Sequence, residues 1–438
     1  MSTKLEWVGE RARREPECRF MSIYHHVYDV EHLRRCYQEM KRGKAPGIDG
    51  VGKDDYGEEL EDNLQELSQR LARMGYRPKP VKRVYIDKPG SRKKRPLGIP
   101  CFEDKLVQKA LSRVLEQVYE ADFLSSSYGY RPGRSQHEAI DQLGRTIQGC
   151  KVSYVAEADI RSYFDRVNHE WLLKFLSHRI GDPRVERLIR RFLKAGVMED
   201  GLKRASDQGT PQGGVLSALL SNVYLHYALD LWVEKKFRRN CRGEMYYFRW
   251  ADDFLCCFQY RGDAQAFLQQ LEGRLQKFDL QLAEEKTQLV SFGRFTNPKR
   301  PLGGGPRTFD FLGFNFYCGR TRLGTFKVKR RTSGKKFRTK LKQYNQWLRQ
   351  KRNYHRTAAL VEKSRQMLQG HLNYYAITDN GPRCNQYRNQ VQRLLLKWLN
   401  RRSQRRSYTV EQFKQLLIWY GWPSVTIRHR LCPFGRRL

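Results

Sequence analysis

Apolar residues in this chain follow two kinds of pattern, and the change from one to the other marks its organisation. Between residues 152 and 165, Val152, Tyr154 and Val155 lead into Ala158-Asp159-Ile160 and then Tyr163-Phe164-Asp165. This β-favouring run predicts a strand that delivers Asp159 just before the chain turns towards a helix. Between residues 245 and 258, two apolar arms, Met245-Tyr246-Tyr247-Phe248-Arg249-Trp250 and Phe254-Leu255-Cys256-Cys257-Phe258, flank Ala251-Asp252-Asp253. They predict a hairpin with adjacent carboxylates at its turn. Further on the period lengthens. Segments 339–352, 358–375 and 388–400 carry apolar residues at helical spacing, as in Leu394, Leu395, Trp398 and Leu399, and predict three or four helices.

Length and charge divide the chain in the same way. At 438 residues it exceeds the roughly 250 to 300 at which single cores stop growing, so more than one domain is expected. The 84 Lys+Arg against 46 Asp+Glu leave a formal charge of +38, an excess that suits nucleic acid as partner. Residues 320–438 hold 30 of those cations and only three acids, Glu362, Asp379 and Glu411, which places a boundary near residue 320. Aromatic residues recur through this basic stretch, among them Tyr344, Trp347, Tyr374, Tyr375, Tyr387 and Trp398, so it is expected to fold rather than trail as a disordered tail.

Other classes fit poorly. No apolar stretch approaches the ~20 residues of a membrane-spanning helix, so no membrane partner is expected. The first residues are charged and lack the apolar run of a secretory signal, which makes the cytoplasm the expected compartment. The ten cysteines show no Cys-x-x-Cys spacing that would seed a zinc site or a redox pair.

The carboxylates carry the candidate chemistry. Adjacent aspartates in an apolar hairpin repel one another, and a divalent cation is the simplest neutraliser; their hard oxygens favour Mg2+. Alone, an Asp-Asp turn also suits a plain solvated hairpin end. With Asp159 from a remote strand, however, Asp252 and Asp253 would form the cage for two metals about 4 Å apart that phosphoryl transfer uses.

At this point the sequence resembles the group II intron reverse transcriptases with maturase activity, in the family's order from about residue 24 onward. The similar segments are Lys44-Ala45-Pro46-Gly47-Ile48-Asp49-Gly50, Arg95-Pro96-Leu97-Gly98-Ile99-Pro100, Ser125 to Ser135 with His137, Asp159 to His169, Gly209-Thr210-Pro211-Gln212-Gly213-Gly214, Ala251-Asp252-Asp253, Phe311-Leu312-Gly313-Phe314, Gly370-His371-Leu372-Asn373-Tyr374-Tyr375 and Asn400-Arg401-Arg402-Ser403-Gln404. The resemblance implies an α+β fold of the right-hand polymerase type: an N-terminal extension over residues 1–23, fingers and an antiparallel palm sheet over 24–319, and a helical thumb with RNA-binding surface over 320–438.

It implies roles too. Asp159, Asp252 and Asp253 would bind two Mg2+ ions, or Mn2+ in their place, and Lys286 would protonate the leaving pyrophosphate. Lys88 and Arg95 would clamp the incoming deoxynucleoside triphosphate, Phe164 would exclude a 2′-hydroxyl, and Gln212 and Gly213 would line the pocket. Phe311, Leu312, Gly313 and Phe314 would form the primer grip, while Arg131, Arg134, His371, Arg401 and Arg402 would contact RNA. Each has a plainer counterpart: a solvated basic hairpin, a core aromatic, a turn before a helix, a surface lysine. Trp250 and Ala218 depart from the family's usual residues and bear only on the shape of the pocket.

The expected partners are group II intron RNA, an RNA template with its DNA primer, and target DNA; the oligomeric state is left open. Only His429 and Cys432 stand near Leu438, so the paired-cysteine endonuclease module of longer members is not expected. Two rivals stand beside this reading: a domesticated reverse transcriptase in DNA repair or phage defence, and a non-catalytic RNA-binding splicing chaperone.

Overall fold

The computed structural model describes residues 4–87, 94–199, 202–204, 209, 214–296, 307–402 and 407–431, without the side chains of Lys4, Asp87, Arg95, Lys203 and Arg204. The chain divides into two compact units, the first comprising residues 1–135, 156–256 and 262–288 and the second residues 136–155, 257–261 and 289–438. Helices and sheets mix in both, so the fold class is α+β.

In the first unit the helix Phe102–Asp122 is apolar on most of its circumference, and Leu106, Val107, Ala110, Leu111, Val114, Leu115, Val118 and Tyr119 are all buried. A helix apolar on more than one face needs cover on each. The helices Lys4–Arg14, Val30–Glu39 and Val215–Leu225 supply it. One four-stranded sheet of this unit contains β1 (Val81–Asp87), β2 (Lys94–Ile99), β4 (Val197–Glu199) and β5 (Leu202–Arg204) in the order β2-β1-β4-β5. The β1–β2 pair is antiparallel, with Asp87 opposite Lys94, whereas β1 and β4 run parallel.

A second four-stranded sheet, in the order β6-β7-β3-β8, is built from β3 (Tyr154–Asp159), β6 (Met245–Trp250), β7 (Asp253–Phe258) and β8 (Gln288–Ser291). Both carboxylate-bearing runs are strands of this sheet, as their β-favouring composition predicts. The Ser153 N–H donates to the Phe258 carbonyl at 2.9 Å, which makes β3 and β7 antiparallel neighbours.

The second unit contains a three-stranded antiparallel sheet, β11-β10-β9, made of β9 (Phe309–Phe311), β10 (Phe314–Arg320) and β11 (Phe326–Thr332). Its helices are Gly334–Lys351, Thr357–Tyr375, Gly381–Leu399 and Val410–Trp419. The three helices expected from apolar spacing are present and start earlier than that spacing indicates, because first turns such as Gly334-Lys335-Lys336 are polar. Residue 320 lies inside the β10–β11 hairpin, so the step in charge density falls within a structural element and not between two. Among the described residues no helix is long and apolar enough to cross a membrane.

The core of this unit contains His371, 2% exposed, its ring stacked on Tyr387 at 3.6 Å and against Tyr375 at 4.6 Å. Burial, assisted by Lys340, pushes its pKa down from 6.5 to about 3. A depressed histidine contributes stability that is present above the unfolded value and lost as pH falls through the folded one. Urea unfolding should therefore show the protein weakening between pH 6.5 and about 3, with the steepness reduced in His371→Phe; equal slopes would remove His371 as a cause.

Candidate active site

Asp159 ends β3, and the chain beyond it is pinned by a neighbouring segment. The Ala283 N–H donates to the Asp159 carbonyl and the Arg161 N–H to the Gln281 carbonyl, each at 2.8 Å, and Ile160 forms an antiparallel bridge with Leu282. The following 3-10 turn, Glu284–Lys286, brings the Lys286 ammonium onto the Asp159 carboxylate. That pairing, partly offset by burial and reinforced by Asp253, raises the Lys286 pKa above the ordinary lysine value.

Asp252 stands at the two-residue turn of the β6–β7 hairpin. The turn is strained, since Ala251 has φ +54°, a left-handed conformation that costs a non-glycine residue about 1 kcal/mol. Because β3 ends at Asp159 where its antiparallel neighbour β7 begins at Asp253, Asp159 and the turn lie at the same end of the sheet. Asp252 also adds to the upward shift of the buried Tyr163 hydroxyl, of which burial is the main cause.

The turn is held from behind by a buried polar network. Arg249 and Asp230 are both fully buried and joined by two hydrogen bonds, 2.7 Å from Nε to Oδ1 and 2.6 Å from Nη2 to Oδ2. Arg249 also donates to the Asn222 side-chain oxygen at 2.9 Å, to the Ser127 hydroxyl at 2.7 Å and to the Ala251 carbonyl at 3.1 Å. Asn222 in turn donates to the Gly129 carbonyl at 2.6 Å. Only glycine fits at position 129, because a Cβ there would lie 2.4 Å from the Ala251 nitrogen. One guanidinium thus fastens the aspartate turn, and Ser125 to Ser135 reads as its backing as much as a nucleic-acid surface.

Sequence reasoning missed Arg249, Asp230, Asn222 and the reason for Gly129. A signal existed: an arginine inside the apolar arm Tyr246-Tyr247-Phe248-Arg249-Trp250 must either point to solvent or find a buried anion. Nothing in the sequence identifies Asp230 as that anion.

The other expected site residues are distributed as follows. Phe164 is buried, with its ring 5.4 Å from that of Tyr163. Gly209 approaches the Phe164 and Asp165 backbone so closely that a Cβ would lie 2.8 Å from the Phe164 carbonyl oxygen. Lys88, Gln212, Gly213 and the Arg95 side chain lie outside the described residues. Within the second unit, Phe311 and Phe314 pair across the two-residue turn Leu312-Gly313, where φ values of +48° and +81° indicate a primed turn. The Tyr374 hydroxyl donates to the Leu312 carbonyl at 2.7 Å and fixes that turn to the helix Thr357–Tyr375.

Among the arginines expected to contact RNA, Arg131 is paired with Glu120 at 2.9 Å and donates to the Leu124 and Ser127 carbonyls, so it staples its own loop. Arg134 lies over the Tyr128 ring at 4.4 Å. Arg401 lines a concavity of about 640 Å3 with Arg349, Arg352, Lys397 and Trp398. Arg402 donates to the Thr357 hydroxyl at 2.7 Å and the His355 carbonyl at 2.9 Å. His371, enclosed by tyrosines, presents no open ring face.

Among the described residues no group of three or more His, Cys, Asp or Glu side chains is gathered to hold a metal ion. The Asp159 carboxylate is occupied by Lys286.

The buried pair carries a stability prediction. Removing the anion leaves the Arg249 charge uncompensated, which typically costs about 3–5 kcal/mol. Asp230→Asn should lower the unfolding free energy by that order, measured by denaturant titration; a loss within about 1 kcal/mol would mean that water reaches the guanidinium.

Residues 86–316 match the family model for reverse transcriptase (RNA-dependent DNA polymerase). The chain is 36% identical over 222 residues to the group II intron-encoded protein LtrA of Lactococcus lactis subsp. cremoris, an alignment covering 51% of this chain and 37% of that protein. It is 33% identical over 350 residues to the protein YkfC of Escherichia coli K12, covering 72% of this chain and 88% of that one. Over 97 residues, 22% of this chain and 13% of the relative, it is 34% identical to nuclear intron maturase 1, mitochondrial, of Arabidopsis thaliana. The chain thus spans well under half of the lactococcal protein's length. The family model covers residues 86–316, just over half of the chain, and the chain belongs to the reverse transcriptase (RNA-dependent DNA polymerase) family.

Proposed function

We propose that this protein is an RNA-directed DNA polymerase that binds group II intron RNA, assists its splicing and copies it into DNA during intron mobility. The observation that supports this reading is that Asp159 ends β3 at the same end of the sheet as the strained, clamped turn that bears Asp252. A turn of that kind persists only where the surroundings over-determine it, and such strain clusters at functional sites.

The donor set fits Mg2+. That ion is commonly held by one or two carboxylates, with substrate phosphates and water completing its shell, so two aspartates suffice from the protein side. Asp159, Asp252 and Asp253 would hold two ions, Mg2+ or Mn2+. Once bound, these would activate the primer 3′-oxygen and neutralise charge on the leaving pyrophosphate.

The chain's own groups do the rest in this reading. Lys286 keeps Asp159 neutralised until the site fills, then carries the proton of its Nζ to the pyrophosphate. Lys88 and Arg95 clamp the deoxynucleoside triphosphate, Gln212 and Gly213 line its pocket, and Phe164 sits against the sugar. The primer grip is the Phe311-Leu312-Gly313-Phe314 turn, whose fixation by Tyr374 supports a positioning role. Fingers and palm precede a basic helical thumb, where cations around the Trp398 ring, Arg352 at 4.7 Å, Lys397 at 5.5 Å and Arg401 at 5.8 Å, favour RNA phosphates and bases. Target DNA and the RNA template with its DNA primer complete the partners.

Extension of a DNA primer on an RNA template with Mg2+ tests this. Wild type should extend and Asp252→Asn should fall at least ~100-fold, as expected from losing several kcal/mol of charge stabilisation, while both bind the primed template equally. No extension by wild type, or equal extension by the variant, overturns the polymerase reading.

A further inference from the structure

A second cluster of charge lies in the first unit, apart from the aspartates. The helix Pro183–Leu193 follows a strict amphipathic pattern: Val185, Leu188, Ile189, Phe192 and Leu193 are buried, which leaves Arg184, Arg187, Arg190 and Arg191 outside that apolar stripe. Its basic side and the residues just after it border a concavity of about 650 Å3 lined by Arg77, Pro78, Arg187, Arg190, Arg191, Lys194 and Ala195. Five of those seven residues are cations and none is an acid.

The ion pairs nearby leave most of this charge unopposed. Arg184 is taken by Asp182 at 3.1 Å and Arg190 by Glu186 at 2.8 Å. Among the described residues no carboxylate pairs with Arg77, Arg187, Arg191 or Lys194. Arg191 is fixed by donating to the Met74 and Tyr76 carbonyls, at 2.7 and 2.8 Å. Its pKa is lowered by burial first and then by Arg77 and Arg187, so these like charges are close enough to repel. A fold that holds unpaired guanidiniums in one hollow stores repulsion that only an anion relieves.

We propose that this hollow binds the phosphate backbone of a folded RNA, as a binding site separate from the polymerase centre. That the polymer is RNA rests on the function proposed above, and two features exclude a lone phosphate and a membrane. From Arg187 to Lys194 the cations extend ~10 Å along the helix, at about 1.5 Å per residue, which is more than one phosphate occupies. A membrane-surface helix would add exposed large apolar side chains, and none of the residues 182–195 is among the exposed large apolar residues. Backbone and shape contacts are how proteins grip helical RNA.

The test uses the full chain, a stem-loop RNA, duplex DNA of the same sequence and a short unstructured primed template. The triple variant Arg77→Gln, Arg187→Gln and Lys194→Gln should bind the stem-loop about 10- to 100-fold more weakly. Its salt slope should flatten by up to about 3, roughly one unit for each lost phosphate contact. Its melting temperature at low salt should rise, since repulsion is relieved, and primer extension on the short template should stay unchanged. Unchanged stem-loop affinity and salt slope would overturn the proposal. So would a loss confined to duplex DNA, or an equal loss of extension, which would place the hollow in the polymerase path. Because RNA binding is measured directly, failure of the polymerase reading would not be mistaken for failure of this one.

Discussion

The first unit depends on one buried ion pair, Arg249–Asp230, which fixes the turn that bears Asp252 at the end of the sheet where β3 delivers Asp159. Left free, the Ala251-Asp252 turn would relax, because its left-handed alanine already costs about 1 kcal/mol. Two contacts prevent this: Arg249 donates to the Ala251 carbonyl and the Gly129 backbone abuts the turn, while Lys286 pairs with Asp159 at the end of β3. A buried ion pair such as Arg249–Asp230 is poor as a source of net stability, since desolvation offsets most of its attraction. The five-donor fork of Arg249 is well suited to fixing geometry, and here it joins strand β6 and its turn to the helix Val215–Leu225, the helical turn His226–Asp230 that continues it and the loop at Ser127.

How much of this was legible in the sequence follows from the range of the forces involved. Local patterns were legible: the β-favouring run into Asp159, the hairpin around Asp252 and Asp253, and the amphipathic helices after residue 333 all depend on neighbours in the chain. The resemblance added order to these motifs. The anchors were not legible, because Arg249 and Asp230 are 19 positions apart and Ser127 is 122 positions from Arg249. His371 shows where a local pattern stops being informative. Inside Gly370-His371-Leu372-Asn373-Tyr374-Tyr375 it read as an RNA contact, yet apolar packing on Tyr375 and Tyr387 decides its placement.

Charge and fold divide the chain at different places. The charge density rises at residue 320, but the longest segment of the second compact unit starts at Leu289, and the unit also takes residues 136–155 and 257–261. Electrostatic composition marks what a surface meets, whereas compactness marks what a core can bury, and nothing requires the two to coincide. The hollow beside Pro183–Leu193 shows the same separation, with dense positive charge set in the less basic part of the sequence.

A cation held jointly by Asp159 and the Asp252 turn can be mapped by the cuts it makes in the chain. Ferrous iron in place of Mg2+, with ascorbate and peroxide, cuts a polypeptide beside the bound ion. The account predicts cleavage at two places at once, around residue 159 and around residues 251–253, suppressed by excess Mg2+ and lost at both places in Asp159→Asn. Cleavage at one place only, or at neither, would contradict it.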